Sequence, residues 1–163
     1  MQLSLRTRRL LVAVPTALLA VSLVGCGDIA EKAAEDALKD EGIDADIDGS
    51  DISIEGTDFN ITTGKLPKDF PVDEVPVVDG KILQGAYTKN SQTWDTTIEV
   101  GPAGGDKQAA YDAAEEKLGA DVLQEPIDDG TGISGTYATD SYTVTLSVTD
   151  SNRIIVNYLV APK

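Results

Sequence analysis

Four carboxylates stand at a spacing that suits a hard cation. Asp44, Asp46, Asp48 and Glu55 occupy the run Asp44-x-Asp46-x-Asp48-Gly49-x5-Glu55. Calcium takes about six to eight oxygen ligands, and carboxylates placed this way around a sharp-turn glycine supply most of them. A second reactive group is Cys26, the single cysteine of the chain. One thiol closes no internal disulfide and builds no cysteine-based zinc site. The sequence also contains no histidine. That removes Ser-His-Asp and Cys-His nucleophile sets, histidine zinc ligands and the commonest general base. The chain therefore reads as a non-enzyme.

The carboxylate spacing satisfies the EF-hand loop pattern, yet its neighbours follow a different period. Ile43, Ala45 and Ile47 alternate with Asp44, Asp46 and Asp48; Ile52 and Ile54 alternate with Ser53 and Glu55. Two alternating runs around Asp48-Gly49 predict a β-hairpin. Asp51 stands where a calcium loop carries an aliphatic residue, and Gly56 to Gly64 reads as turn and strand instead of a second helix. The expectation is a hairpin with an acidic outer face and neither metal nor cofactor. A calcium-binding loop using Asp44, Asp46, Asp48 and Glu55 is the alternative.

Other spacings carry less chemistry. Gly101-Pro102-Ala103-Gly104-Gly105 precedes a helix, but it lacks the lysine and Ser/Thr of a phosphate loop, and Pro102 removes a donor. Carboxylate pairs of the glycosidase kind are not identifiable among the 28 acids. Tyr87 and Trp94 fall on adjacent expected strands, placed either to stack on a sugar or to pack as a cross-strand pair.

Residues 1–25 read as a secretory leader. Arg6, Arg8 and Arg9 form a basic start, and the apolar stretch from Leu10 to Ser22 is short for a membrane span and interrupted by Pro15. Leu23-Val24-Gly25-Cys26 then resembles the lipobox of bacterial lipoproteins. The resemblance implies cleavage before Cys26, a diacylglycerol thioether on its sulfur, and anchorage to the cell membrane on the extracytoplasmic side. Two or more acyl chains anchor stably, whereas one does not. A lipid-blocked sulfur is no nucleophile.

The full chain carries a net charge of −15 with 28 acidic residues. Loss of the leader removes three arginines and no acid, leaving −18. Such a polyanion is repelled by nucleic acid and by anionic headgroups, and no basic patch interleaved with aromatics is present. The acids crowd toward the anchor: residues 26–58 hold 12 of them against Lys32 and Lys39. Mean hydropathy is near zero and aromatics are few, so the core should be aliphatic.

The elements that position these groups follow from periodicity. Ala30, Ala33, Ala34, Ala37 and Leu38 make one face of a helix over 28–41, capped by Asp28 and stopped by Gly42. The hairpin follows, and Phe59 and Ile61 extend it. Leu66 to Gly80, with Pro67, Pro71 and Pro76, is expected to lie extended against a sheet, because it is too apolar for a free linker. Strands are expected at 81–88, 93–100, 121–125, 133–139, 142–149 and 153–160. A helix is expected at 106–118, started by Asp106, stopped by Gly119, and buried through Ala110, Tyr111, Ala114 and Leu118.

The segment Leu66-Pro67-Lys68-Asp69-Phe70-Pro71 followed by Val75-Pro76-Val77-Val78-Asp79-Gly80-Lys81-Ile82-Leu83 resembles one found in small bacterial lipoproteins of unknown function. There it precedes a ββα-plus-strands domain, so the resemblance implies a fold and no activity. The expected class is α+β: a helix and hairpin over 26–64, then an antiparallel ββαββββ sheet over 65–163 covered by one helix. The expected function is that of a lipid-anchored, non-catalytic binding or envelope accessory module. Its partners would be the membrane, through Cys26, and an envelope protein or polymer, with nucleic acid excluded.

Overall fold

The computed structural model describes residues 27–40, 43–48 and 51–163. Residues 1–25 (the expected leader), Cys26, Glu41 and Gly42 at the end of the expected helix, and Gly49-Ser50 lie outside them. The fold is α+β and is dominated by one antiparallel sheet. Its elements are α1 (Gly27–Asp40), β1 (Asp44–Asp48), β2 (Asp51–Glu55), β3 (Phe59–Thr62), β4 (Lys81–Thr88), β5 (Thr93–Pro102), α2 (Lys107–Leu118), β6 (Asp121–Asp128), β7 (Gly132–Ala138), β8 (Tyr142–Asp150) and β9 (Arg153–Pro162). The spatial order is β1-β2-β3-β4-β5-β9-β8-β7-β6. Helix α2 carries the chain from the middle of the sheet to its far edge, and three hairpins bring it back to pair β9 with β5.

The strands from β5 to β7 alternate strictly, because one face is covered. Val144, Leu146 and Val148 of β8 and Val156, Tyr158 and Val160 of β9 point under α2 and are fully buried. Tyr111, Ala114 and Leu118 are the residues that α2 sends into them. The helix begins where Asp106, in extended conformation, accepts the Ala109 N–H at 2.9 Å. It ends at Gly119, whose left-handed backbone (φ 58°) a side chain would strain.

The segment from Leu66 to Gly80 forms a strap over the same face. Phe70 and Val75 are buried, and Leu66, Val77 and Val78 pack against the core. Two buried aromatics fasten it: Trp94 Nε1 donates to the Lys68 carbonyl at 3.1 Å, and the Val78 N–H donates to Tyr158 Oη at 3.1 Å. Beside it, Gly85 has no room for a Cβ, which would meet Pro67 at 2.5 Å.

The expected boundary at 64/65 falls inside a continuous sheet, since β3 pairs with β4. The apolar side nevertheless changes there. Directly opposed residues share a face, and the register runs Trp94↔Tyr87↔Asn60↔Glu55↔Asp44. Asp44, Asp46 and Asp48 thus lie on the face that further along is the core. The aliphatic residues Ala45, Ile47, Ile52, Ile54 and Ile61 lie on the opposite face and are only half-buried. Helix α1 packs beside β1, and Glu35 accepts the Ile47 N–H at 3.0 Å. That bond covers part of a strand edge otherwise free to pair with another chain.

Candidate functional site

The four carboxylates that opened the sequence reading do not converge. Asp44, Asp46 and Asp48 run along β1, all exposed, at every second residue. Successive carboxylates on one strand face are separated by roughly 6.8 Å, too far for a shared ion. Glu55 stands opposite Asp44 across the ladder. Its carboxylate faces Lys89 at 3.3 Å and Lys68 at 3.9 Å. Among the described residues, no group of three or more metal-ligating side chains is placed to hold an ion. The described part of the run is a strand and not an EF-hand loop. A strand of period two spreads its ligands in a row, whereas a chelating loop must curl them around a point.

Tyr87 and Trp94 make the cross-strand pair, with ring centroids 5.0 Å apart, and Tyr142 meets Trp94 edge-on at 5.8 Å. Trp94 is buried beneath the strap. This is core packing, not a sugar platform. The glycine loop before α2 is equally committed. The Gly104 N–H donates to both Asp150 carboxylate oxygens at 3.2 Å, and Lys107 Nζ donates to Asp128 at 2.9 Å.

Two shallow clefts border α2. One, of about 460 Å³, has an aliphatic floor that includes Val78, Val100, Ala110 and Ile154 and is rimmed by the Asp79–Lys117 ion pair at 3.0 Å. The other, of about 380 Å³, contains Glu74, Asp121, Asp140 and Lys163. Glu74 is fully engaged there: it accepts from the Ser141 N–H (3.1 Å), Ser141 Oγ (3.0 Å) and Thr139 Oγ1 (3.3 Å). Its work is to tie the strap to the β7–β8 turn.

The strongly shifted ionisable groups are also structural. Asp129 caps the β6–β7 turn, and donors from Thr131 Oγ1, the Gly132 N–H and the Thr131 N–H hold its carboxyl down at about 2. Lys107 and the Gly130 N–H likewise lower Asp128. Under α2, Tyr137 donates to Glu115 at 2.8 Å and so accepts a hydrogen bond from the Tyr111 hydroxyl at 2.8 Å. Burial, then the bonds to Tyr111 and Glu115, push the Tyr137 phenol well above its usual range. Gly135 makes room for this chain, since a Cβ there would stand 2.3 Å from Tyr111 Oη. Tyr158 is raised to about 12 by burial.

What the sequence reading passed over is the second face of the sheet. Among the described residues, no helix or strap covers it over β4–β9; α1 packs at β1. Register places Gln84, Thr97, Asn157, Ser147 and Ser134 in one row across five strands. Asp95, Leu159, Thr145 and Thr136 form the next row. The charges on this face nearly balance. Arg153 and Lys81 are cations of its strands; Asp95, Glu99 and, at the β6 edge, Asp121 are their carboxylates. Arg153 pairs with Glu99 at 2.8 Å, and Asn157 Nδ2 donates to Asp95 at 3.0 Å and to Thr97 Oγ1 at 3.2 Å. The signal was in the sequence, in the threonines and serines alternating with aliphatics over Thr143 to Thr149.

No protein-family model, no characterised protein and no solved structure matches the chain.

Proposed function

We propose that the protein is a lipid-anchored module on the extracytoplasmic side of the cell membrane. It binds an envelope component through the open face of its sheet and catalyses nothing. The anchor rests on Leu23-Val24-Gly25-Cys26 after a basic, apolar leader. Binding rests on a single observation: over β4–β9 a broad, nearly charge-balanced, hydroxyl-lined sheet face stays uncovered in a chain of net charge −15. A surface kept merely for solubility would carry its share of the acids. Here only Asp95, Glu99 and the edge residue Asp121 stand on the face, against Arg153 and Lys81, and more acids stand on the strap (Asp69, Asp73, Glu74, Asp79) and on α2 (Asp112, Glu115, Glu116).

Two measurements on the full-length protein in its cell test this reading. Labelling with an alkyne-tagged fatty acid should mark the protein, and Cys26→Ala should abolish both the label and sedimentation with membranes. Hydroxyl-radical footprinting of intact envelopes should protect Leu159 on the open face relative to the purified protein, and leave Val72 on the strap reactive. An unlabelled protein that still sediments would remove the anchor. Equal reactivity of Leu159 in both samples would remove the binding face.

A further inference from the structure

We infer that the open sheet face takes an uncharged polysaccharide laid across the strands, one sugar ring to each strand. This rests on the reading of that face as the binding surface. Three observations select the partner.

The first is charge. The protein repels anionic headgroups, nucleic acid and other acidic proteins at long range. Its open face carries an excess of one carboxylate, at the β6 edge, and none along the central rows, where Arg153 pairs with Glu99, so it complements a neutral partner. A second copy of the chain is a poor occupant, because stable self-association faces are apolar at their centres and the central rows of this one, over β5 and β7–β9, are hydroxyl-rich.

The second is hydrogen-bonding capacity. Among the described residues, the side chains of Ser134, Thr136, Thr145 and Ser147 make no hydrogen bond within the protein. Each hydroxyl can both donate and accept. Asn157 spends its amide hydrogens on Asp95 and Thr97, which leaves its carbonyl oxygen as an acceptor. Sugar hydroxyls and N-acetyl groups match such a mixed surface. On either side of Asn157, Ile155 and Leu159 share its face, and Leu159 is 45% exposed. They offer apolar contact to the C–H side of a ring.

The third is period. Neighbouring strands lie about 4.8 Å apart, and alternate residues along a strand roughly 6.8 Å apart. The strand spacing is close to the advance of one ring in an extended β-linked pyranose chain. The row Thr97–Asn157–Ser147–Ser134 therefore presents one hydrogen-bonding side chain to each successive ring. With the aromatics Tyr87, Trp94 and Tyr142 on the other face and Phe59 on β3, away from the central rows, affinity comes mainly from summed hydrogen bonds. A dissociation constant of about 1 mM or tighter is expected for six rings.

The test titrates the full-length protein, in a zwitterionic detergent that carries no sugar, with two uncharged hexasaccharides. One is the β-1,4 hexamer of N-acetylglucosamine and the other the β-1,4 hexamer of glucose. Saturable binding of at least one is expected, unchanged between about 50 mM and 500 mM salt because nothing charged is exchanged. Ser147→Glu should weaken it about tenfold or more. Thr145→Val, which keeps the shape and β-branching but removes the hydroxyl, should weaken it several-fold. Glu116→Gln, on the exposed side of α2, should leave it unchanged. Unaltered near-ultraviolet circular dichroism establishes that the variants fold.

Binding of neither hexamer overturns the inference. If Leu159 is nonetheless protected in envelopes, the face binds a protein and the broader reading stands. If Leu159 is unprotected, both fall. Hexamer binding that ignores Ser147→Glu and Thr145→Val also overturns the inference, because the sugar then sits elsewhere.

Discussion

The strands β1–β3 and the strands β4–β9 belong to one sheet and obey one period, yet they hold together differently. In β5 and β7–β9 a helix and a strap seal the core face, and alternate residues are buried. In β1–β3 the aliphatic residues occupy the other face and remain half-exposed, with α1 alongside only β1. Three pairings make the N-terminal ribbon continuous with the body, but continuity of hydrogen bonds does not give equality of burial. A ladder fixes where residues stand; what covers them fixes their contribution to stability. Stability should therefore be concentrated under α2 and thin toward β1.

The most direct way to break that comparison is to cut equal-sized side chains from both regions. Leu146→Ala removes a fully buried residue of β8 and should cost about 2–5 kcal/mol. Ile54→Ala removes a half-buried residue of β2 and should cost about 1 kcal/mol. Urea denaturation of the two variants measures the difference. Equal losses would mean that the ribbon is sealed as tightly as the body.

A smaller effect is expected from the polar chain beneath α2. Tyr137→Phe leaves the Tyr111 hydroxyl and the Glu115 carboxylate without their shared partner, at a cost of about 1–3 kcal/mol. Because the folded pKa of Tyr137 lies above its ordinary value, its share of stability is intact below about pH 10 and is lost as pH rises further. Thermal melts from pH 8 to pH 11 should fall more steeply in the native protein than in Tyr137→Phe. Parallel curves would mean that the phenol titrates alike in both states. The ribbon β1–β3 contains no tyrosine, so this alkaline limb reports on the body alone.

The acid limb separates two hairpins. Asp129 is depressed to about 2 by its three turn donors, so its contribution is present above about pH 4 and disappears as pH falls toward 2. Asp129→Ala should flatten the dependence of Tm on pH over that window. In β1 the aspartates cap nothing and stand in a like-charged row. Asp46→Asn should raise Tm slightly at pH 7, and more at low salt than at high. A fall in Tm would show that Asp46 has a partner worth keeping.

The elements were legible because their periods are clean. The alternation in Tyr142–Thr149, the helix between Asp106 and Gly119, and the prolines from Leu66 to Gly80 each dictate local geometry with little help from the rest of the chain. Which face each strand turns inward was not legible. The run Asp44–Asp48 reads as acid outside and aliphatic inside, but inside and outside are set by what packs on β4, far along the chain. For the same reason the hydroxyl rows could not be assembled in advance. Thr97, Asn157, Ser147 and Ser134 become neighbours only once β9 inserts between β5 and β8. The motif most visible in one dimension, the four carboxylates, has no counterpart in three. The surface that remains open in three dimensions is scattered in one.

The finest division between the regions falls at two threonines on either side of β4. Both point to the core face, opposite Gly85: Thr62 from β3 and Thr96 from β5. Thr62 Oγ1 donates to the Lys65 carbonyl at 2.8 Å. Thr96 is fully buried, and its hydroxyl has no partner among the described residues. A valine fills the same shape without the hydroxyl, so the two substitutions differ only in what that group was doing. Thr62→Val should lose about 1 kcal/mol, because the Lys65 carbonyl is then left short of a donor. Thr96→Val should gain up to about 1 kcal/mol, because an unsatisfied buried hydroxyl is removed and a methyl is added to an aliphatic neighbourhood. Opposite signs in urea midpoints would place the well-satisfied side of the seam on the ribbon, even though the body buries more. Destabilisation by both would mean that a water in the core bonds Thr96, and the body would then be satisfied on both counts.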